Sequence, residues 1–390
     1  MSLPENVTEA LRAASNPVCA YVYDTAVARQ RAATVRAALP AGATLLYAVK
    51  ANGHPAIVRA LAEVADGLEV ASGGELELAL AAGATRIAFG GPAKTDAELR
   101  AALDASTAVE LTLHVESVQE LRRLAWLSEA TRPRNLRIAL RVNRVVAGPP
   151  GTHAMTGQPT PFGIDEEQLP AALELARWLG LPIAGFHLHA VSNSLDAAAY
   201  AQFTADAVGW SAWIAGALGV PLSYVNVGGG FGISYADPDQ AFDLTALDWR
   251  ALGVPAGVEL AFEPGRFLAA DAGWYAAEVL DLKRTHGRWF AVLRGGTHHF
   301  RLPAAWGYSH PFTVLPVERW PYPWQRPEIS GVTVDAVGEL CTPRDVLSRD
   351  VEVDRLRVGD LLVFGKTGAY GWDISHHEFL RHPHPQVMVL

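Results

Sequence analysis

A (β/α)8 barrel joined to a C-terminal β domain is the fold class this sequence predicts, and three observations predict it. Eight short apolar runs alternate with amphipathic helical patterns over roughly 230 residues, near the usual barrel length of about 250. After Arg266 the alternation stops, and strand-like runs separated by turns and prolines take over. An early β-rich run, Val18–Tyr23, has no place among the eight and is expected to join the later strands.

Taken in order, Val18–Tyr23 is followed by an alanine- and arginine-rich helix to about Leu39. The eight barrel strands are expected at Leu45–Val49, Gly67–Val70, Arg86–Phe89, Leu111–His114, Leu136–Arg141, Ile183–His187, Tyr224–Val227 and Glu259–Glu263. Helical patterns lie between them at Gly74–Ala82, Asp96–Leu103, Val118–Ala130, Leu169–Leu179 and Ala198–Leu218. A doubly wound sheet competes, and the count of eight favours the barrel. Later strands are expected at Glu278–Leu282, Trp289–Leu293, Val332–Ala336 and Leu361–Phe364, with Pro-rich Leu315–Pro327 as a surface loop. The chain of 390 residues thus divides into a barrel over 28–268 and a β domain from 1–27 and 269–390.

Half the residues are hydrophobic and 19% are charged, a globular profile. The formal net charge of -9, with no basic stripe, argues against nucleic acid or an anionic membrane surface as partner. A small anionic molecule in a locally basic pocket stays compatible. Cys19 and Cys341 alone make no disulfide framework. Met1-Ser-Leu-Pro-Glu-Asn lacks the basic and apolar regions of a signal peptide, and no apolar run would span a bilayer. A soluble cytoplasmic protein is expected, which makes Asn6-Val-Thr8 a chance glycosylation match.

Barrel chemistry sits in the loops after the strands. The first strand ends in Tyr47-Ala-Val-Lys50-Ala-Asn52, whose lysine amine can form a Schiff base with a carbonyl, the aldehyde of pyridoxal phosphate included. The second ends in Glu69-Val-Ala-Ser72-Gly-Gly-Glu75, the fifth ends in Arg141-Val-Asn143, and the sixth continues as His187-Leu-His189-Ala-Val-Ser192. The seventh leads into Gly228-Gly-Gly-Phe-Gly232 and the eighth into Glu263-Pro-Gly-Arg266. Singly, each has an ordinary reading: a solvated lysine, a tight glycine turn, a structural histidine, half of an ion pair. Jointly, a lysine, a phosphate cradle and a buried acid at one end of one barrel fit pyridoxal phosphate. The paired histidines of the tail, His376-His377-Glu378 and His382-Pro-His384, show no ligand spacing, and no metal is expected.

These motifs, with the late Cys341 and Gly368-Ala-Tyr370-Gly, resemble the fold-type III pyridoxal-phosphate decarboxylases, the group of ornithine, arginine and diaminopimelate decarboxylases. The similarity runs from about Val18 to Tyr370 and implies the alanine racemase/ornithine decarboxylase-like fold, a barrel plus a β domain that includes the first strand. It implies pyridoxal 5'-phosphate bound to Lys50, with Glu263 on the pyridine nitrogen and His189 against the ring face. Ser192, Gly229, Gly230, Gly265, Arg266 and Tyr370 match its phosphate surroundings, and Glu69 stands where the family usually has aspartate near the lysine. Cys341 matches the cysteine given across a dimer interface that reprotonates Cα after carbon dioxide leaves, which implies a homodimer with shared active sites.

Three departures bear on substrate. Classical members carry an acid directly after the late cysteine to read a distal amino group; here the run is Cys341-Thr342-Pro-Arg344-Asp345. Pro161-Phe-Gly-Ile lacks the usual lysine, and Asn226 replaces a common aspartate. An ammonium left unpaired in a buried pocket costs about 1–3 kcal/mol or more, so a simple diamine precursor is a poor fit. His298, Arg301, Arg344 and Asp345 are the candidate substrate contacts, suited to an anionic or bulky polar distal group. Gly295-Gly-Thr-His-His-Phe-Arg-Leu-Pro303, Cys341-Thr-Pro and Tyr370-Gly-Trp-Asp-Ile-Ser-His376 are similar to the siderophore-biosynthesis branch, whose members decarboxylate an amino acid already joined to citrate or a related precursor. Alternatives are a decarboxylase of a free diamino acid, a racemase on the same cofactor, and a catalytically silent regulatory homologue. Cys341 and the Glu263 pairing argue against the racemase, and retained Lys50 against the silent homologue.

Overall fold

In the computed structural model, which describes residues 3–131, 135–146, 148–237 and 240–390, the chain forms two units. One runs from Arg29 to Ile233 and from Gln240 to Leu268; the other takes the chain up to Ala28, the segment from Ser234 and everything from Ala269 onward. The excursion at Ser234 carries no signal in the sequence.

The first strand, β1 (Cys19–Tyr23), belongs to the second unit. The eight strands of the first unit are β2 (Thr44–Ala48), β3 (Gly67–Val70), β4 (Arg86–Phe89), β5 (Glu110–Val115), β6 (Leu136–Asn143), β7 (Ile183–His187), β8 (Tyr224–Asn226) and β9 (Glu259–Phe262). They pair in the order β5-β4-β3-β2-β9-β8-β7-β6, and β5 pairs β6 to close the ring. Every pairing is parallel. This is the expected barrel, and the strands read as continuous apolar runs because both faces are covered. The short pair Ile164–Asp165 adds to the end of β6.

The helices start where local chemistry says they should. Ser72 caps Gly73–Ala81 by accepting from the Glu75 N–H, so the Ser72-Gly-Gly-Glu75 motif is first of all a helix start. Thr95 and Glu98 form a reciprocal capping box at Asp96–Ala105. Asp196 caps the long helix Ala197–Leu218, which ends on Gly219 at φ 66°. No helix among the described residues is long and apolar enough to cross a membrane.

The second unit holds β10 (Gly273–Thr285), β11 (Arg288–Leu293), β12 (Phe312–Leu315), β13 (Glu328–Val337), β14 (Val346–Arg357), β15 (Leu361–Phe364) and β16 (Gln386–Val389). Their order is β12-β15-β10-β11-β13-β14, with β1 antiparallel to β10 and parallel to β16. β1 therefore joins the later strands as expected. Strands β12, β14 and β16 escape the sequence pattern. In β14 the run Ser348-Arg-Asp-Val-Glu-Val-Asp-Arg355 is too charged to read as a strand, yet it pairs along β13 with one face open. Helix Glu5–Ala13, also unforeseen, packs Val7 and Leu11 against Val18, Val22 and Val363.

Candidate active site

The barrel unit gathers its polar side chains where β2, β3, β7, β8 and β9 end. Lys50 sits in the single helical turn Val49–Ala51 directly after β2. The Tyr47 hydroxyl donates to Asn52 O at 3.0 Å and closes that turn, which accounts for the tyrosine and asparagine flanking the lysine. Gly265 packs on the same turn: a Cβ there would meet Ala51 at 2.9 Å and Ala48 at 3.0 Å. Lys50 Nζ donates to Glu69 Oε2 at 2.7 Å, with the lysine side chain 42% exposed and the glutamate 4%. Burial pushes the Glu69 carboxyl above its ordinary range against the pull of Lys50, and the charge of Glu263 adds to the rise.

The glycine loop is shaped by what lies against it. Gly228 has φ +73°, and a Cβ there would sit 2.2 Å from His189 Nδ1. The Gly229 N–H donates to that nitrogen at 3.2 Å, so the proton of the neutral ring lies on Nε2. Burial and the cations Arg141 and Lys50 hold His189 well below the usual histidine range. A Cβ on Gly229 would meet Glu263 O at 2.5 Å, and Tyr200 OH donates to Gly229 O at 2.9 Å. Ser192 pairs with His153 in a two-residue ladder, and buried Arg266 opens the short helix Arg266–Ala269.

Glu263, 5% exposed, is the centre of a network that sequence reasoning missed in part. Asn226 Nδ2 donates to Glu263 Oε1 at 2.6 Å, and the Gly228 N–H, donating to Asn226 Oδ1 at 2.8 Å, sets which way the amide points. His187 Nε2 stands 3.4 Å from Glu263 Oε2 and His114 Nδ1 3.8 Å from Oε1. Among the described residues these two histidines and Glu263 are the group with ligand atoms close enough for a metal, all within 4.8 Å. The His114 and His187 ring centroids lie 4.1 Å apart, with the ring planes tilted by 30°. Nearby, buried Glu116 accepts from Arg141 at 2.9 Å and from the Gly91 and Gly163 N–H groups at 2.8 and 3.1 Å, tying three loops together. The one sequence signal for His114 and His187 is that each lies at the carboxyl end of an apolar run.

The β unit holds the remaining candidates. Arg301 and Arg344 line a cavity of about 630 Å³ with Arg349, His376, Thr342 and Ser309. Its described lining residues include no aspartate or glutamate. Cys341 is exposed beside it in sequence. Two candidates turn inward instead. Asp345 is 2% exposed and accepts from the Thr297 N–H at 2.6 Å and the Leu340 N–H at 2.8 Å, which pins one loop to the other. His298 is fully buried, 3.4 Å from Glu339, a carboxylate that also binds Arg294 and stands 3.5 Å from His382. Neither residue reaches the cavity, because both are taken up in holding its wall. Tyr370, at φ 54°, follows Gly368, whose missing Cβ would lie 2.0 Å from Ala269 O.

The sequence model of the pyridoxal-dependent decarboxylases, pyridoxal binding domain, matches residues 25–270. The chain belongs to the pyridoxal-dependent decarboxylase family. It is 41% identical, over 100% of its own length and 98% of the other, to the 2-[(L-alanin-3-ylcarbamoyl)methyl]-2-hydroxybutanedioate decarboxylase of Staphylococcus aureus. It is 32% identical to the diaminopimelate decarboxylase of Aquifex aeolicus, covering 95% of this chain and 86% of that one. The crystal structure of Helicobacter pylori diaminopimelate decarboxylase complexed with L-lysine superposes with a TM-score of 0.85 at 26% identity, covering 99% of this chain and 94% of that one.

The decarboxylase uses pyridoxal phosphate, and the barrel residues fit that group. A half-open primary amine at Lys50 suits its aldehyde, and a carboxylate with an N–H donor on one oxygen suits a protonated ring nitrogen. A neutral imidazole and a glycine loop without side chains leave room beside them for a flat ring and a phosphate.

Proposed function

We propose that the enzyme decarboxylates an amino acid carried on a citryl group, as an intermediate in carboxylate siderophore biosynthesis. The observation that carries the reading is the cavity of the β unit: Arg301, Arg344, Arg349 and His376 line it, and its described lining includes no aspartate or glutamate. Such a wall attracts carboxylates and leaves an ammonium without a partner. The Staphylococcus aureus relative supports it, since the substrate in its name is an alanine joined through an amide to a hydroxybutanedioate.

Pyridoxal phosphate, when bound, supplies the electron sink for the pair left at Cα as carbon dioxide departs. Lys50 would hold the cofactor, and Glu69, 2.7 Å away, orients the lysine nitrogen. Glu263, held by Asn226, supplies the negative charge that keeps a ring nitrogen protonated. His189, neutral and braced by Gly229, presents an uncharged face to the ring. Ser192, Gly229, Gly230, Gly265, Arg266 and Tyr370 are assigned to the phosphate. Cys341 Sγ–H gives its proton to Cα, from a second subunit in a homodimer whose active sites are shared, in a cytoplasmic enzyme.

Carbon dioxide release from citryl-linked 2,3-diaminopropionate, measured against free lysine, ornithine and diaminopimelate, tests the substrate. Faster turnover of any free diamino acid overturns it.

A further inference from the structure

We propose that His187 is the second hydrogen-bond donor to Glu263 and the positioning residue that fixes this carboxylate for the cofactor ring. The proposal rests on the reading of Glu263 as the ring nitrogen's partner.

Glu263 has two oxygens and one firm donor. Oε1 takes the Asn226 amide at 2.6 Å. Oε2 lies 3.4 Å from His187 Nε2, within reach of an N–H···O bond whose alignment is not met in this structure. Neither ring nitrogen of His187 has a hydrogen-bond partner, although the side chain is 4% exposed. A buried imidazole with both nitrogens idle is costly, and such a group in a folded protein calls for a role. The carboxylate is the acceptor that its Nε2 faces.

The ring cannot swing away to find another. The His114 ring lies against it, with centroids 4.1 Å apart and planes tilted by 30°, and His189 lies nearly parallel at 6.3 Å and 22°. His114 is itself anchored, its Nε2 lying 3.3 Å from Tyr224 OH, and that hydroxyl accepts from Asn226 Nδ2 at 2.8 Å. The three imidazoles thus lie in a row whose middle member has its Nε2 3.4 Å from Glu263. Burial and the charges of Arg141, Lys50 and Lys94 keep His187 neutral, so it carries a single N–H. A carboxylate beside Nε2 selects the tautomer with the proton there. Asn226 from β8 and His187 from β7 then grip the two oxygens separately. A carboxylate held at both oxygens keeps its plane and its charge, which is what a partner for a ring N–H needs.

The test compares His187→Leu, His187→Gln and Glu263→Gln with the parent. Apoprotein is titrated with pyridoxal phosphate by absorbance and fluorescence, kcat and KM are measured on the reconstituted enzyme, and thermal unfolding of each apoprotein is recorded. His187→Leu is expected to weaken cofactor affinity by about 10- to 100-fold, the scale of a hydrogen bond to a charged group, and to lower kcat with little change in KM. Thermal unfolding of its apoprotein checks that the variant is folded, so that a loss of affinity is read at the site. Glutamine, which returns an N–H near the place of Nε2, should recover affinity to within about threefold. Nitrogen-15 spectra of ring-labelled apoprotein should show His187 as the neutral Nε2–H tautomer. Parent-like affinity and kcat in His187→Leu while Glu263→Gln is impaired would overturn the proposal alone, as would a glutamine variant no better than leucine. Parent-like behaviour in Glu263→Gln would overturn the reading of Glu263 itself.

Discussion

Lys50 Nζ and Glu69 Oε2 lie 2.7 Å apart, one on a side chain 42% exposed and the other 4% exposed. The pair joins the ends of two neighbouring strands and leaves the amine open to the barrel mouth. Lys50→Ala should abolish the visible absorbance of bound cofactor and cut turnover by at least about a thousandfold. Glu69→Gln should keep the absorbance and lower kcat. An unchanged spectrum in Lys50→Ala would remove the lysine from the site.

Asn226 is where the family commonly has aspartate, and here its amide is 2.6 Å from Glu263. Two carboxylates at that distance cannot both ionise. Asn226→Asp should therefore add a shared proton and weaken pyridoxal phosphate binding increasingly as pH rises and that proton is lost. Titrations of apoprotein at pH 6 and pH 9 would show the difference widening; parallel affinities would count against it.

The cavity of Arg301, Arg344 and Thr342 should separate substrates by charge. Arg344→Glu is expected to raise KM for a citryl-linked substrate by about 10- to 100-fold with kcat changed less. Thr342→Glu should improve the ratio for free diamino acids over the citryl conjugate. Steady-state kinetics on both substrates decides, and an unmoved ratio would place the distal group elsewhere.

The proposed sharing of active sites between two subunits makes a prediction of its own. Lys50→Ala and Cys341→Ala proteins, each inactive, should regain about a quarter of parent activity when mixed and allowed to exchange subunits, because half the dimers would be hybrid with one intact site each. No recovery on exchange, confirmed by mass spectrometry of the hybrids, would argue for sites complete within one chain.

His310 is 1% exposed, faces Gly365 O through Nε2 at 2.8 Å and Tyr308 OH through Nδ1 at 2.9 Å, and is pushed down to about 4 by burial. The unfolded chain takes up its proton near pH 6.5, so this contribution to stability is whole above that pH. It is lost as pH falls from about 6.5 to about 4, at about 1.4 kcal/mol per pH unit. His310→Gln should lower stability at pH 8 yet flatten its decline between pH 6.5 and 5 by one proton. Denaturant unfolding at several pH values measures the slope, and an unchanged slope would refute the assignment.

The barrel was legible because its information is local. Each strand is an apolar run, helices such as those after Ser72, Thr95 and Asp196 begin on a capping residue, and Lys50, Glu69 and Glu263 fall at or just past the ends of such runs. Family motifs at the same places named the cofactor. What the tertiary structure alone decided is which strand ends meet. His114, His187, Asn226 and Glu263 come from four different strands, and only the closed ring with its fixed register stacks two of the rings beside one carboxylate. The same holds in the β unit. By residue type and position, Asp345 and His298 are as good substrate contacts as Arg344 and Arg301. Hydrogen bonds to backbone N–H groups and a neighbouring Glu339 turn them inward, while the arginines turn out. Residue type says what a side chain can bind; burial, set by contacts distant in the chain, decides what it does bind.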